Sequence, residues 1–81
     1  MNIRVQLFAV ARQLAKQDEI SIELPAGATV ADLRVQIAEM FPILADMLPM
    51  TAIAVNAEYA DDKTPVPVNG TVVVIPPVSG G

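Results

Sequence analysis

The chain has 81 residues, which is enough for one small domain and no more. Hydrophobic residues make up 53% of it, so the chain is too apolar to be a disordered protein. It has no Cys and no His, which excludes disulfides, thiolate nucleophiles and the commonest metal ligand and proton shuttle. The net charge of −4 would repel a phosphate backbone, so we expect no nucleic-acid partner.

The sequence also lacks the features of secreted and membrane proteins. Its uninterrupted apolar stretches are far shorter than the roughly 20 residues that span a bilayer. The amino-terminal segment MNIRVQLF has neither the long apolar region nor the cleavage site of a signal peptide. We therefore expect a cytoplasmic protein with no membrane partner.

Two half-buried strands are predicted in the first part of the chain. In IRVQLFA, Ile3, Val5 and Leu7 fall on one face and Phe8 falls on the other, which is the period of a strand. ISIEL alternates in the same way and is closed by Pro25. The intervening VARQLAKQ favours a short helical turn, so the two strands are predicted to form a hairpin with a long connection.

The clearest helix begins after Thr29. Thr29 is a good N-cap, and Asp32 at the third helical position resembles the acidic partner of a capping box. Pro42 is expected to end the helix, and ILADML is predicted to be a short second helix that stops at Pro49. The spacing of three or four residues predicts one core-facing stripe, formed by Val30, Leu33, Ile37 and Phe41.

Three further strands are predicted in the second part of the chain. AIAVN is the third strand, and residues 58–60 are a short edge strand in a polar, proline-rich segment. Asn69 and Gly70 form a strong turn signal before TVVVI. The continuous β-branched run of TVVVI indicates a central strand that is covered, at least in part, on both faces.

The order of these elements defines the fold class. A single long helix must cover one face of a mixed sheet, and the first and last strands are expected side by side at its centre. This α+β arrangement is the β-grasp, or ubiquitin-like, roll. We expect residues 1–75 to form the domain and residues 76–81 to form a flexible tail that ends in Gly-Gly.

The tail offers the chemical group that the side chains lack. Gly80 and Gly81 have no Cβ, so they can enter a channel too narrow for side chains. Pro76 and Pro77 favour an extended path away from the sheet. A terminal carboxylate joined to AMP is open to attack, and a sulfur donor converts it into a nucleophilic thiocarboxylate. The competing interpretation of a final Gly-Gly is an inert, frayed end.

Four stretches carry a resemblance to a known family: IRVQLFA, TVADLRVQI, AVNAEYADDKTPVPVNGTVVVIPP and VVVIPPVSGG. Through them the chain resembles, over essentially its whole length, the small sulfur-carrying subunit of molybdopterin synthase in the ubiquitin-like superfamily. Gly-Gly alone is weak evidence, whereas PPVSGG after a β-branched strand is much more specific. The chain departs from many members at VPVNG, where they have an acidic turn.

The resemblance implies a cycle of sulfur transfer. An E1-like activating enzyme uses ATP and Mg²⁺ to adenylate Gly81, and a sulfur donor then makes the Gly81 thiocarboxylate. The large synthase subunit receives the tail, and sulfur passes to a cyclic pyranopterin monophosphate. The chain is expected to bind no cofactor and to act as the non-catalytic subunit of a heterotetramer, with the catalytic side chains on the large subunit.

The candidate site therefore combines the reactive tail with an apolar docking patch. If Leu7 and its neighbours pack under the helix, Phe8 projects from the helix-free face of the sheet, which family members use to bind both partners. A core position is the alternative for each apolar member of this patch. The expected partner interface consists of Phe8, Tyr59, Ile75, Pro76, Pro77, Val78 and Ser79, with Val66 and Val68 as weaker candidates.

Other side chains receive structural assignments. Met40, Met47 and Met50 are interpreted as core gap-fillers. A set of charged residues is either the polar rim of the interface or a solvated surface, and the latter is favoured. These residues are Arg12, Asp61, Asp62 and Lys63.

Three other functions remain open at the level of the sequence. A ubiquitin-like protein modifier would attach Gly81 to lysines of other proteins. A sulfur carrier for thiamin or another pathway would share the tail chemistry but not the large subunit. A plain interaction module would have an inert tail.

Overall fold

The structure, a computed structural model, describes residues 1–77. In these residues, strands, α-helices and 3₁₀ helices follow one another in the order β1 (Asn2–Leu7), α1 (Ala9–Ala15), β2 (Glu19–Glu23), α2 (Val30–Met40), a first 3₁₀ helix (Pro42–Leu44), a second 3₁₀ helix (Leu48–Met50), β3 (Ala52–Val55), β4 (Glu58–Ala60) and β5 (Val72–Ile75). None of the helices in this part of the chain has the length and apolar character to cross a membrane.

The five strands form one mixed sheet in the order β2-β1-β5-β3-β4. β1 pairs with β2 in antiparallel fashion and with β5 in parallel fashion, while β3 is antiparallel to both β5 and β4. The most apolar strand, β5, is central and lies beside β1, as the sequence predicts. This topology confirms the β-grasp fold class.

The core lies between one face of the sheet and α2. Alternate residues of β1 are buried because successive side chains of a strand point to opposite faces. Three members of the predicted helix stripe are fully buried, namely Val30, Leu33 and Ile37. The fourth, Phe41, follows the last residue of α2 and is only partly buried, because the backbone has left the helical conformation there.

The start of α2 satisfies its unpaired backbone N–H groups in two ways. A capping box is present, in which Asp32 N donates to Thr29 Oγ1 and Thr29 N donates to Asp32 Oδ2 at 2.9 Å. The N–H groups of Val30 and Ala31 donate to carbonyl oxygens of Thr64 and Asp62. The loop after β4 is therefore fastened to the helix terminus, where backbone donors would otherwise lack partners.

Between α2 and β3 the structure differs from the sequence prediction. The predicted single helix over ILADML is wrong, because two separate 3₁₀ helices occupy this region and Pro49 lies inside the second. Prolines lack the N–H that a continuous α-helix needs, and the backbone makes i to i+3 bonds instead. One such bond joins Ala45 N to Pro42 O, and another joins Thr51 N to Leu48 O.

The methionines also differ from their predicted role. Met40 and Met50 are exposed, and only Met47 packs against the core, in part. The assignment of Met40 and Met50 as gap-fillers is therefore wrong. Met40 is the last residue of α2, and Met50 is the last residue of the second 3₁₀ helix.

Candidate functional site

The helix-free face of the sheet has an apolar half and a polar half. The strand register places Gln6, Val73, Ala54 and Tyr59 in one row across β1, β5, β3 and β4. Side chains that share a row project from the same face. The apolar half therefore covers β5, β3 and β4, whereas the β1 and β2 half carries polar residues that line a shallow cleft around Arg4.

Phe8, which follows β1, and Tyr59 and Ile75, which are on β4 and β5, are the apolar candidates on this face, and we call them the sheet patch. Phe8 follows Leu7 in extended conformation, and since Leu7 pairs with Val74, Phe8 lies level with Ile75. The structure exposes Phe8 and Tyr59, and it half-buries Ile75. The alternation of side chains along β1 predicted that Phe8 would be exposed, and the structure confirms this. The docking role of the sheet patch stays a prediction.

The end of β5 fixes where the chain leaves the domain. β1 and β5 are parallel neighbours, so both finish at the same edge of the sheet, which we call the exit end. Pro76 is buried and Pro77 is exposed. Pro76 therefore packs with the domain although the sequence prediction begins the tail there. The remaining candidate residues, Val78, Ser79, Gly80 and Gly81, lie outside the described residues.

The backbone makes a sharp turn at Ala9, at the exit end. The φ of Ala9, 53°, is in the left-handed region, so the backbone turns sharply between Phe8 and the body of α1. Phe8 also accepts, through its carbonyl oxygen, backbone hydrogen bonds from Ala11 and Arg12. These bonds tie the start of α1 to the sheet patch, so the helix is held beside the place where the chain leaves.

The two weaker apolar candidates behave differently. Val66 is buried in the core, and its N–H donates to Ala28 O at 2.8 Å, so its inclusion in a docking surface is wrong. The bridge between Thr29 and Pro65 holds the same segment inward. Val68 is exposed, but it precedes β5 and therefore lies away from the exit end.

The charged candidates mostly make contacts within the chain. Asp61 accepts hydrogen bonds from Lys63 N at 2.9 Å and from Thr64 Oγ1 at 3.1 Å, which shapes the turn after β4. Asp62 Oδ1 accepts from Arg34 Nε at 2.8 Å. Arg12 Nε lies 3.7 Å from Asp18 Oδ1 on the surface. This pattern favours the structural interpretation of the two aspartates over a partner rim.

Arg34 was missed by sequence reasoning. Its Nη1 donates to Leu48 O and, at 3.0 Å, to Thr51 Oγ1, while its Nε pairs with Asp62. One guanidinium thus joins α2 to the second 3₁₀ helix and to the loop after β4. In the sequence, a single Arg on an amphipathic helix gives no sign that it bridges three segments.

The polar side chains of the described residues show no metal-binding cluster. Among residues 1–77, no group of three or more acidic side chains is arranged to bind a metal ion. Within the same residues, every buried side-chain nitrogen and oxygen has a hydrogen-bond partner.

Comparison with known proteins gives a consistent picture. Residues 5–81 match the ThiS family. A molybdopterin synthase sulfur carrier subunit of Chlamydomonas reinhardtii is 37% identical over 83 residues, which cover 100% of both chains. A putative molybdopterin converting factor, subunit 1, from Pyrococcus furiosus is 35% identical, with a TM-score of 0.83 over 96% of this chain and 99% of that one.

Two further solved structures are informative in different ways. One is the complex of subunits 1 and 2 of the molybdopterin-converting factor from Helicobacter pylori, in which the similar chain is 27% identical, with a TM-score of 0.70 and full coverage of both chains. The other, SAMP1 from Haloferax volcanii, has a TM-score of 0.88 and full coverage of both chains, but it is 21% identical. At that identity the likeness shows the fold alone.

Proposed function

The chain belongs to the ThiS family, and from this membership together with the geometry of the exit end we propose that it is the sulfur-carrying subunit of a molybdopterin synthase. The observation that carries the proposal is the position of the sheet patch. Phe8 and Ile75 lie at the same edge of the sheet from which the chain continues to Gly81. A protein that binds the patch is thereby brought next to the carboxyl terminus.

The reagent in this proposal is the carboxylate of Gly81. Within an activating enzyme, a carboxylate oxygen attacks the α-phosphorus of Mg²⁺-bound ATP, pyrophosphate leaves, and an acyl adenylate forms. A sulfur donor then delivers the equivalent of hydrosulfide to the carbonyl carbon. The bond to AMP breaks, and a thiocarboxylate with negatively charged sulfur remains. This chain contributes the reacting carboxylate and no catalytic side chain to either step.

The second half of the cycle takes place on the large synthase subunit. The thiocarboxylate sulfur displaces a carbon-bound oxygen of the cyclic pyranopterin monophosphate: a C–S bond forms, the C–O bond breaks, and the oxygen leaves with the electron pair and takes up a proton. Hydrolysis of the resulting thioester then returns the Gly81 carboxylate and leaves the sulfur on the pterin as a thiolate. Two such transfers supply both sulfur atoms of the dithiolene. The role of this chain is to hold its terminus in the partner's active site, where proximity replaces a bimolecular encounter.

The sheet patch supports recognition by both partners in turn. Phe8 and Tyr59 are aromatic and exposed on a face without a covering helix. Exposed aromatic side chains of this kind are enriched at protein interfaces, where their burial supplies much of the binding free energy. Binding of the large subunit and of the activating enzyme to the same patch would make the two complexes mutually exclusive, which suits a carrier that cycles between them in the cytoplasm.

The alternatives from the sequence share the adenylation step and differ in the acceptor. Attachment to protein lysines receives no support from the likeness to SAMP1, because that likeness shows the fold alone. The relatives with the higher identities carry the name of the molybdopterin synthase subunit. That name, over the full length of this chain, favours the molybdenum cofactor pathway over thiamin synthesis.

Intact-mass measurement after activation tests the proposal directly. The full chain is incubated with its activating enzyme, a sulfur donor, ATP and Mg²⁺, and the mass of the chain is compared with that of an untreated sample. We expect the mass difference that replaces one oxygen atom by one sulfur atom, and no change in a variant that lacks Gly81. Ladders of conjugated proteins, or an unchanged mass in the wild-type chain, would contradict the proposal.

A further inference from the structure

A second group of exposed apolar side chains lies at the exit end, outside the sheet patch. Val10 and Leu14 are one turn apart on α1, Ile43 is on the first 3₁₀ helix, and Met50 closes the second. α1 contacts both β5 and the first 3₁₀ helix. Because β3 begins opposite the last residue of β5, the segment that precedes β3 is also at this end. We call these four side chains the exit collar.

The geometry of α1 indicates which way its part of the collar faces. Ala11 is buried, and Arg12 reaches Asp18 in the loop before β2. Side chains advance by about 100° per residue around an α-helix, so Val10 and Leu14 lie roughly opposite Arg12. They therefore face away from the loop before β2, on a helix that packs against both β5 and the first 3₁₀ helix.

The sheet patch alone is small for a stable protein complex. Phe8 is 50% exposed, Tyr59 is 77% exposed and Ile75 is half-buried. Since a large aromatic side chain buries about 150–250 Å², these exposed portions amount to roughly 300 Å². Each partner in a stable complex contributes about 800 Å². A partner that forms a stable complex with this chain must therefore cover more of the chain's surface than the sheet patch and the tail.

The number of residues after Pro77 limits where on the chain a partner can make these additional contacts. Four residues separate Pro77 from the end of the chain. Even fully extended, they reach at most about 14 Å. An active site that acts on Gly81 must therefore lie within that distance of Pro77, and the protein around it must approach the exit end.

We propose that the exit collar is a second docking surface, which seats against an apolar lip around the active-site entrance of the large synthase subunit. This inference rests on the proposed function and extends it from the sheet patch to α1 and the 3₁₀ helices. Burial of the collar would supply apolar contact area that the sheet patch lacks. It would also hold the base of the tail in one position at the entrance, so that fewer tail conformations have to be excluded on insertion.

The test compares matched substitutions at the two ends of the molecule. Val10→Gln with Leu14→Gln makes one side of the collar polar, and Ile43→Gln does so at the first 3₁₀ helix. Val68→Gln is the control, since Val68 is 65% exposed against 42% for Val10 and precedes β5 at the far end of the sheet. All of these positions are exposed, so thermal unfolding is expected to change little. Dissociation constants of the full-length variants for the large subunit are measured by calorimetry.

We expect the Val10→Gln/Leu14→Gln variant to bind the large subunit about tenfold more weakly, because the methylene groups that it no longer buries amount to roughly that factor in affinity. The addition of Ile43→Gln should weaken binding further, whereas Val68→Gln should leave the dissociation constant unchanged. Sulfur loading of the same variants by the activating enzyme is measured alongside, because that enzyme also acts on Gly81 and its active site must meet the same limit on distance.

Three outcomes would overturn the proposal without touching the proposed function. The collar variants could bind as tightly as Val68→Gln while Phe8→Asp weakens binding. Loss of the adenylation rate with an unchanged dissociation constant would assign the collar to the activating enzyme. A self-associated wild-type chain that the collar variants render monomeric would assign it to a second copy. If the wild-type chain neither gains sulfur nor binds the large subunit, the proposed function itself fails.

Discussion

Ala57 is a residue whose backbone conformation fits its side chain poorly. It lies with Asn56 between β3 and β4, and both have positive φ, of 70° and 50° respectively. Two consecutive positive φ values are typical of the type I′ hairpin turn, in which the second central residue is usually glycine. A Cβ in the left-handed region costs about 1–2 kcal/mol. The neighbouring strands hold Ala57 there because β4 must return along β3.

We expect Ala57→Gly to stabilise the protein. Relief of the left-handed strain exceeds the additional chain entropy of glycine in the unfolded state, so the free energy of unfolding should rise by about 0.5–1 kcal/mol. Chemical denaturation measures this change. The matched control is Ala38→Gly in the interior of α2, which should lower the same quantity by about 1 kcal/mol. A decrease at both positions would show that the turn is not strained.

Side-chain exposure was predictable at single residues only where a regular period applied. Phe8 could be placed on the helix-free face because it follows three alternating buried residues of β1. Val66 could not be placed, since it is in a loop whose position depends on a hydrogen bond to Ala28, 38 positions earlier in the chain. The local sequence does not indicate such a long-range hydrogen bond. From the sequence, Val66 and Val68 were therefore equally good candidates for exposure.

At the scale of elements, one arginine joins three segments. Arg34 is on α2, Leu48 and Thr51 are at the second 3₁₀ helix, and Asp62 is in the loop after β4. The side chain of Arg34 is only 19% exposed, so its hydrogen bonds are partly shielded from water. Hydrogen bonds of a charged group contribute more than neutral ones, typically about 1.5–3 kcal/mol, although exposure of the aspartate reduces this.

We expect Arg34→Met to lower the free energy of unfolding by about 1–2 kcal/mol, because the carbonyl of Leu48 and the hydroxyl of Thr51 lose their charged donor. Methionine keeps most of the aliphatic length, so the loss reports mainly on the hydrogen bonds. The control is Arg4→Met. Arg4 is 80% exposed and lies 3.6 Å from Glu19, so its removal should change stability by less than about 0.5 kcal/mol. Equal effects at the two arginines, measured by urea denaturation, would contradict this interpretation.

Strands and the main helix were predictable from the sequence, whereas the segment between α2 and β3 was not. Alternation in β1 and β2, the run of valines in β5 and the capping box of α2 are local signals of the correct kind. In ILADML, helix-forming residues are bounded by Pro42 and Pro49, and propensity alone predicts one helix. The structure instead makes short 3₁₀ turns, because each proline removes a donor and the segment must cross from α2 to the sheet within few residues.

At the scale of the whole molecule, the parallel pair at the centre of the sheet links fold to function. Because β1 and β5 end at one edge, Phe8 and Ile75 of the sheet patch, the exit collar and the start of the tail share that edge. The sequence predicted the central pair from the apolar character of the two strands. It could not predict the collar, because Val10, Leu14 and Ile43 have no common period and come together only through the packing of α1 on the first 3₁₀ helix.

Removal of Gly81 tests whether the stability of the folded domain is independent of the reacting terminal carboxylate. In the sequence the residue lies six positions beyond the end of β5, and we expect the melting temperature of the variant to equal that of the wild-type chain. The terminal carboxylate, however, retreats by one residue, or about 3.5 Å in an extended chain. A displacement of even 1 Å in a reacting group can cost a hundredfold in rate, so we expect sulfur loading and molybdopterin formation to fall below detection.

Addition of one alanine after Gly81 is the complementary variant, since it displaces the carboxylate by the same distance in the opposite direction. It should also be inactive and equally stable, and it should still bind the large subunit through the sheet patch. If either variant kept the wild-type rate of sulfur transfer, the reacting group would not be the carboxylate of Gly81. If either lost its cooperative melting transition, the last residues would be part of the folded domain, and the separation of scaffold from reagent would be wrong.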